Sequence, residues 1–163
     1  MCFSFADRDH IIHDKTMVIV ARYHPQRLSK GAIVLDHLSI PVRDITRSRQ
    51  FYEMALKPLG YRLIKDMSFA VSFAVMEGYG QSSDPGGEFW IYQSKGEPCP
   101  AVHFAFSAAS REHVEAFFAA ATAAGGIDNG PPGLRPHYHQ DYYAAFVHDP
   151  DGYNIEAVYH RQP

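Results

Sequence analysis

A segment of this chain occurs twice. Sliding Leu35–Tyr61 forward by 66 positions without a gap lays His37 on His103, Phe51 on Phe117, Tyr52 on Phe118, Ala55 on Ala121 and Gly60 on Gly126. A duplicated unit constrains the fold strongly, because its copies pack about a pseudo-twofold axis and bring equivalent strands together. Polar residues far apart in the chain can then converge. His37 and His103 hold equivalent places on strand-like segments, and another strand-like segment near the C-terminus carries Glu156. Two imidazoles and a carboxylate meeting at one point suit a divalent metal ion. A buried carboxylate left unpaired is costly, whereas a cation neutralises it and uses both imidazole lone pairs.

Residues 1 to 32 show no periodicity and are interrupted by Pro25 and Gly31, so they read as an extension ahead of a single domain over 33–163. From Leu35 the pattern sharpens. Leu35–Val42 is a β-type run, and Asp44 or Thr46 can cap a helix over Ser48–Leu56 that buries Phe51, Tyr52 and Ala55 before Pro58 and Gly60 end it. Strands follow at Tyr61–Ile64, Ala70–Met76 and Glu88–Gln93, the last two separated by the turn-rich stretch Gly78–Gly87. The second unit opens with a strand at Val102–Phe106 and a helix at Arg111–Ala124, with Ser110 as N-cap and Gly125-Gly126 as the stop. The proline-rich loop Gly130–Pro136 leads to strands Tyr142–Val147 and Tyr153–Tyr159, joined by the hairpin turn Asp149-Pro150-Asp151-Gly152. A left-handed Gly152 in that hairpin would align Phe146 with Glu156 and turn Tyr142 to the same face, whereas a tighter turn would select Tyr143.

Composition excludes several function classes. The net charge is −3 with fifteen scattered basic residues, which leaves no electrostatic footprint for nucleic acid or an anionic membrane and favours a small-molecule partner. Cys2 and Cys99 are the only cysteines, too few for a disulfide framework or a thiolate metal site. The apolar run Met17–Ala21 is too short for a signal sequence or a membrane span, so the cytoplasm is the expected location.

The segments Leu35-Asp36-His37-Leu38-Ser39-Ile40, Ser48-Arg49-Gln50-Phe51-Tyr52 and Asp149-Pro150-Asp151-Gly152-Tyr153-Asn154-Ile155-Glu156 resemble the vicinal-oxygen-chelate superfamily, which includes glyoxalase I, fosfomycin-resistance thiol transferases, extradiol dioxygenases and bleomycin-resistance proteins. The resemblance spans roughly 33–160. It implies an α+β fold in which two βαβββ modules, about 33–95 and 100–160, form a cupped mixed sheet around a divalent ion: Fe, Mn, Zn or Ni. It also implies the ligands His37, His103 and Glu156, and a homodimer, with the metal site assembled across the subunit boundary in many relatives. A fourth ligand is missing from the expected place. Glu156 aligns with Trp90 at offset 66 and with Ile91 at offset 65, neither of which binds metal, and Glu88 is the nearest carboxylate. A triad would leave coordination positions open for a substrate or oxygen.

A second polar cluster, Arg135-Pro136-His137-Tyr138-His139-Gln140-Asp141-Tyr142-Tyr143, precedes the final hairpin. Histidine can move protons and tyrosine can hold a developing oxyanion, so His139 and Tyr142 are candidate catalytic residues. Ser39, Trp90, Arg135, His137 and Tyr143 are candidates for substrate contact, and His160 reads as a surface residue. The expected activity is metal-dependent lyase or isomerase chemistry on a small oxygenated molecule. Extradiol cleavage and thiol transfer are alternatives. An aromatic content of 13% also allows a metal-free protein that sequesters an aromatic compound.

Overall fold

A computed structural model of the chain describes residues 35–76, 84–98 and 101–160. The chain divides into two units, Met1–Ala32 and Ile33–Pro163; the expected extension over 1–32 lies outside the described residues, as do Cys2, Cys99 and Met17–Ala21.

The first module runs β1 (Leu38–Val42), α1 (Ile45–Ala55), a single 3-10 turn (Lys57–Leu59), β2 (Tyr61–Met67), β3 (Ala70–Val75) and β4 (Phe89–Gln93). The second runs β5 (His103–Ser107), α2 (Arg111–Ala123), β6 (Ile127–Leu134), β7 (Tyr142–His148) and β8 (Asn154–His160). Each module is a four-stranded mixed sheet of the same order, β1-β4-β3-β2 and β5-β8-β7-β6, so the two match as βαβββ units.

Local chemistry sets these elements. Asp44 caps α1 by accepting the amides of Thr46 (2.9 Å) and Arg47 (3.1 Å), which starts the helix three residues earlier than its apolar stripe suggests. Ser110 is extended, as an N-cap should be, but makes no cap bond; its hydroxyl lies 2.9 Å from His113 Nδ1 instead. The Gly130–Pro136 segment, expected as a loop, is largely strand β6. Its prolines are tolerated because β6 is an edge strand, and its register against β7 shifts at Asp128/Gly130 and Gly130/Gly133, as bulges require.

Alternation gives every sheet two faces. One face of each sheet packs on the helices in a core shared by both modules, with Phe89 of β4 against Phe104 (5.7 Å) and Phe106 (5.3 Å) of β5. The hairpin before β8 is bound to the first module. Buried Asp149 accepts the hydroxyl of fully buried Tyr52 at 2.6 Å, Asp151 accepts Ser48 Oγ–H at 3.2 Å, and Tyr153 donates its hydroxyl to the Pro41 carbonyl at 2.9 Å.

Candidate metal and substrate site

Glu156 is a β8 residue on the face turned away from the helices, yet only 1% of its surface is exposed. Its register explains its company. Gly152 adopts φ 92° in the turn, which pairs Phe146 with Glu156 and Tyr142 with His160, while β5 sets Ala105 beside Glu156 and His103 beside Asn154. His103 and Tyr142 thus flank the carboxylate. Nε2 of His103 lies 3.0 Å from Oε2 of Glu156, and the Tyr142 hydroxyl donates to Oε1 at 2.6 Å.

Nδ1 of His103 is 3.1 Å from the Asn154 carbonyl. A carbonyl only accepts, so Nδ1 carries a hydrogen, and in the neutral ring the Nε2 lone pair faces the carboxylate oxygen. Two electron-rich atoms at that distance need a cation between or beside them. A proton serves, and so would a divalent metal ion, for which an imidazole nitrogen and a carboxylate oxygen are ordinary donors. The donor pair therefore fits a divalent ion. Tyr142 is a firm hydrogen donor, since burial and the adjacent Glu156 push its hydroxyl well above the ordinary phenol range.

His37 stands elsewhere in the chain. Its Nδ1 lies 2.8 Å from Asp36 Oδ1, and one ligand atom each from Asp36, His37 and Asp84 lie within 4.8 Å of one another. Among the described residues this is the one group of three or more metal-type ligands, so His37 does not join His103 and Glu156 within a single chain. Glu88, the carboxylate just before β4, is turned to the Val75 amide, which it accepts at 2.9 Å.

The other candidates separate into three sets. Arg135 reaches the Glu156 face through Phe146, its guanidinium 5.5 Å from a ring that His103 also contacts at 6.0 Å. His137, Tyr138, Tyr142 and His139 form a run of touching rings, and His139 Nε2 lies 2.9 Å from His160 Nδ1. His160 is thus a partner of His139, a role visible in the sequence only through the β7–β8 register. Tyr143 points the other way: its hydroxyl donates to Glu115 on α2 at 2.9 Å and its ring lies beneath Arg111, so it is separated from Glu156 by the sheet. Ser39 and Trp90 are register neighbours on the first module; Ser39 is exposed, and Trp90 is buried with Nε1–H donated to the Gly87 carbonyl at 3.0 Å.

Comparisons with known proteins agree with this architecture. A sequence profile described as the Glyoxalase/Bleomycin resistance protein/Dioxygenase superfamily matches residues 34–157. A glyoxalase/bleomycin resistance protein from Albidiferax ferrireducens T118 is 30% identical over 78% of this chain and 98% of its own, with a TM-score of 0.62. A glyoxalase-related enzyme from Fulvimarina pelagi (16% identical, 75% and 84% covered, TM-score 0.56) and a family enzyme from Burkholderia phytofirmans PsJN (18%, 77% and 97%, 0.55) share the fold. No curated protein sequence matches the chain. Among the described residues no helix is long and apolar enough to cross a membrane.

Proposed function

Because this chain belongs to the Glyoxalase/Bleomycin resistance protein/Dioxygenase superfamily, we propose that it is a metal-dependent enzyme that binds a small oxygenated organic molecule and acts on it by lyase or isomerase chemistry. The observation that carries this reading is the His103–Glu156 pair, a buried carboxylate oxygen and an imidazole nitrogen 3.0 Å apart on an open sheet face. His103 and Glu156 hold the ion, and His37 of a second copy of the chain completes the triad, since one chain alone keeps His37 apart from them. The ion supplies Lewis acidity toward an oxygen of the substrate.

The chain's own groups do the rest. Tyr142, kept protonated, donates its one hydroxyl hydrogen to Glu156 and so fixes the carboxylate beside the bound molecule. Nδ1 of His139 accepts the Asp141 amide at 3.3 Å, which places the neutral ring's hydrogen on Nε2, directed at His160 Nδ1; this pair is suited to pass a proton at the site's edge. Arg135, held against Phe146, offers positive charge to an anionic substrate group.

The test is metal analysis of the purified full chain, followed by titration of the stripped protein with Fe2+, Mn2+, Zn2+ and Ni2+. Close to one ion per chain is expected, with binding lost in His103→Ala and Glu156→Gln. Uptake of none of the four ions, or unchanged uptake in both variants, would refute the reading. Glutathione-dependent turnover or catechol-dependent oxygen uptake would move the chemistry to thiol transfer or extradiol cleavage. A second reading, sequestration of an aromatic compound without metal, draws on the exposed ring run from His137 to His160; it requires ligand affinity that survives chelator.

A further inference from the structure

The position on β4 where a fourth ligand is expected holds Trp90 or Ile91, yet a carboxylate reaches the first module's histidine from the turn just before that strand. We propose that Asp84 is a metal ligand beside His37, so that the first module contributes an acidic donor to the ion as well as an imidazole. The inference rests on the metal-site reading above and adds a ligand to it.

Three observations support it. The first is proximity: ligand atoms of Asp36, His37 and Asp84 gather within 4.8 Å. Two carboxylates that close repel, and a divalent cation removes the repulsion while using the imidazole lone pair. The roles of the two acids differ. Asp36 is largely exposed and its Oδ1 faces His37 Nδ1 at 2.8 Å, the contact that settles a ligand histidine's tautomer and leaves Nε2 for a metal. Asp84 is the partly buried acid, aimed by its own turn, in which Gly86 N–H donates to Oδ1 at 2.8 Å and Gly87 N–H to the carbonyl at 3.0 Å.

The second is the space left for the carboxylate. A Cβ on Gly86 would stand 3.2 and 3.4 Å from the two Asp84 carboxylate oxygens and 3.1 Å from Trp90 Cζ2. The second module carries Asp151 at the equivalent place, so glycine here clears room for Asp84 as it is oriented. The third is the divergence of the duplicated turn. Asp84-Pro85-Gly86-Gly87 matches Asp149-Pro150-Asp151-Gly152 at offset 65. In the second module the aspartate ties the modules together through Tyr52, but α2 carries Phe118 where α1 has Tyr52. The first module's aspartate lies within 4.8 Å of a histidine, His37.

The experiment titrates the metal-stripped full chain with Mn2+, a probe suited to oxygen and imidazole donors, following the free-ion electron paramagnetic resonance signal for wild type, Asp84→Asn and Glu156→Gln. Asparagine retains the oxygen that accepts the Gly86 amide, so the turn survives; an unchanged metal-free melting temperature checks this. Asp84→Asn is expected to raise the Mn2+ Kd by about tenfold or more, at least the loss usual for a group that merely orients a ligand, and to shrink the Mn2+-induced rise in melting temperature. An unchanged Kd in Asp84→Asn alongside weakened binding in Glu156→Gln would overturn the role of Asp84 and leave the metal-site reading standing. Weakening in Asp84→Asn with Glu156→Gln unaffected would support Asp84 and refute the part given to Glu156. Absence of binding by the wild type of Mn2+, and equally of Fe2+, Zn2+ and Ni2+, would overturn both.

Discussion

The bond between Tyr52 and Asp149 joins the first module's helix to the hairpin that sets the register of Glu156, so Tyr52→Phe probes the frame of the site. The substitution removes one hydroxyl and leaves the ring with its edge-to-face contacts to Phe51 (5.1 Å) and Phe89 (4.9 Å). Both partners are buried, Tyr52 at 0% and Asp149 at 3% exposure, and the 2.6 Å distance is that of a hydroxyl bonded to a carboxylate. Asp149 keeps the amides of Asp151 and Tyr153 at 2.9 and 2.8 Å. The loss is therefore one charge-assisted hydrogen bond, about 1.5–3 kcal/mol at pH near 7. For a domain of this size that is roughly 5–10 °C in Tm.

The effect carries a sign with pH. Burial holds the Asp149 carboxyl above the ordinary aspartate range, against the lowering pull of the Tyr52 hydroxyl and the two amides. A folded-state value above the unfolded one means that the native state keeps its proton longer. The associated stability is complete in acid and is lost as pH rises through the folded value. Deleting the hydroxyl removes a lowering interaction and raises the folded value further, so Tyr52→Phe loses more stability at neutral pH than in acid. Below the unfolded value, at about pH 3.5, the difference should shrink toward that of a neutral hydrogen bond, about 0.5–1.5 kcal/mol. Urea unfolding of both proteins at the two pH values measures it. No destabilisation at pH 7, or a larger difference in acid, would refute the reasoning.

Tyr142→Phe leaves Glu156 Oε1 without its donor and is expected to weaken Mn2+ binding by about tenfold, read by the same titration; unchanged affinity would remove Tyr142 from the site. Because burial and Glu156 raise the Tyr142 hydroxyl, tyrosinate absorbance should be the same in wild type and Tyr142→Phe through the pH at which ordinary phenols ionise. Gly126→Ala would put a Cβ 2.5 Å from Val147 Cγ1 and 2.9 Å from the Ala121 carbonyl oxygen, an overpacking that should cost about 1–3 kcal/mol or more in urea unfolding.

Much of the fold was legible because repetition and alternation are local properties. The 66-residue offset placed both modules, and the Asp149–Gly152 turn set the β7–β8 register with Phe146 opposite Glu156, as the hairpin argument required. Strand β6 escaped because Gly130, Pro131, Pro132 and Gly133 read as loop when taken alone, and only the edge position makes them acceptable in a sheet. Asp84 was visible as part of the matched turn, but its meeting with His37 was not, since nothing in the pattern reports the direction of a turn side chain.

By itself, the amino-acid sequence determined that this protein is a duplicated βαβββ unit with a histidine opening each copy and a glutamate on the last strand, because strand period, turn chemistry and repeat offset are written in neighbouring residues. Tertiary structure alone decided how those groups are paired. Glu156 meets His103 and Tyr142 through sheet register, while His37 meets Asp36 and Asp84 where β1 runs parallel to β4 and brings its start beside the turn that precedes that strand. Hydrogen-bonded register acts between strands dozens of residues apart, and so these pairings exist only once the chain has folded.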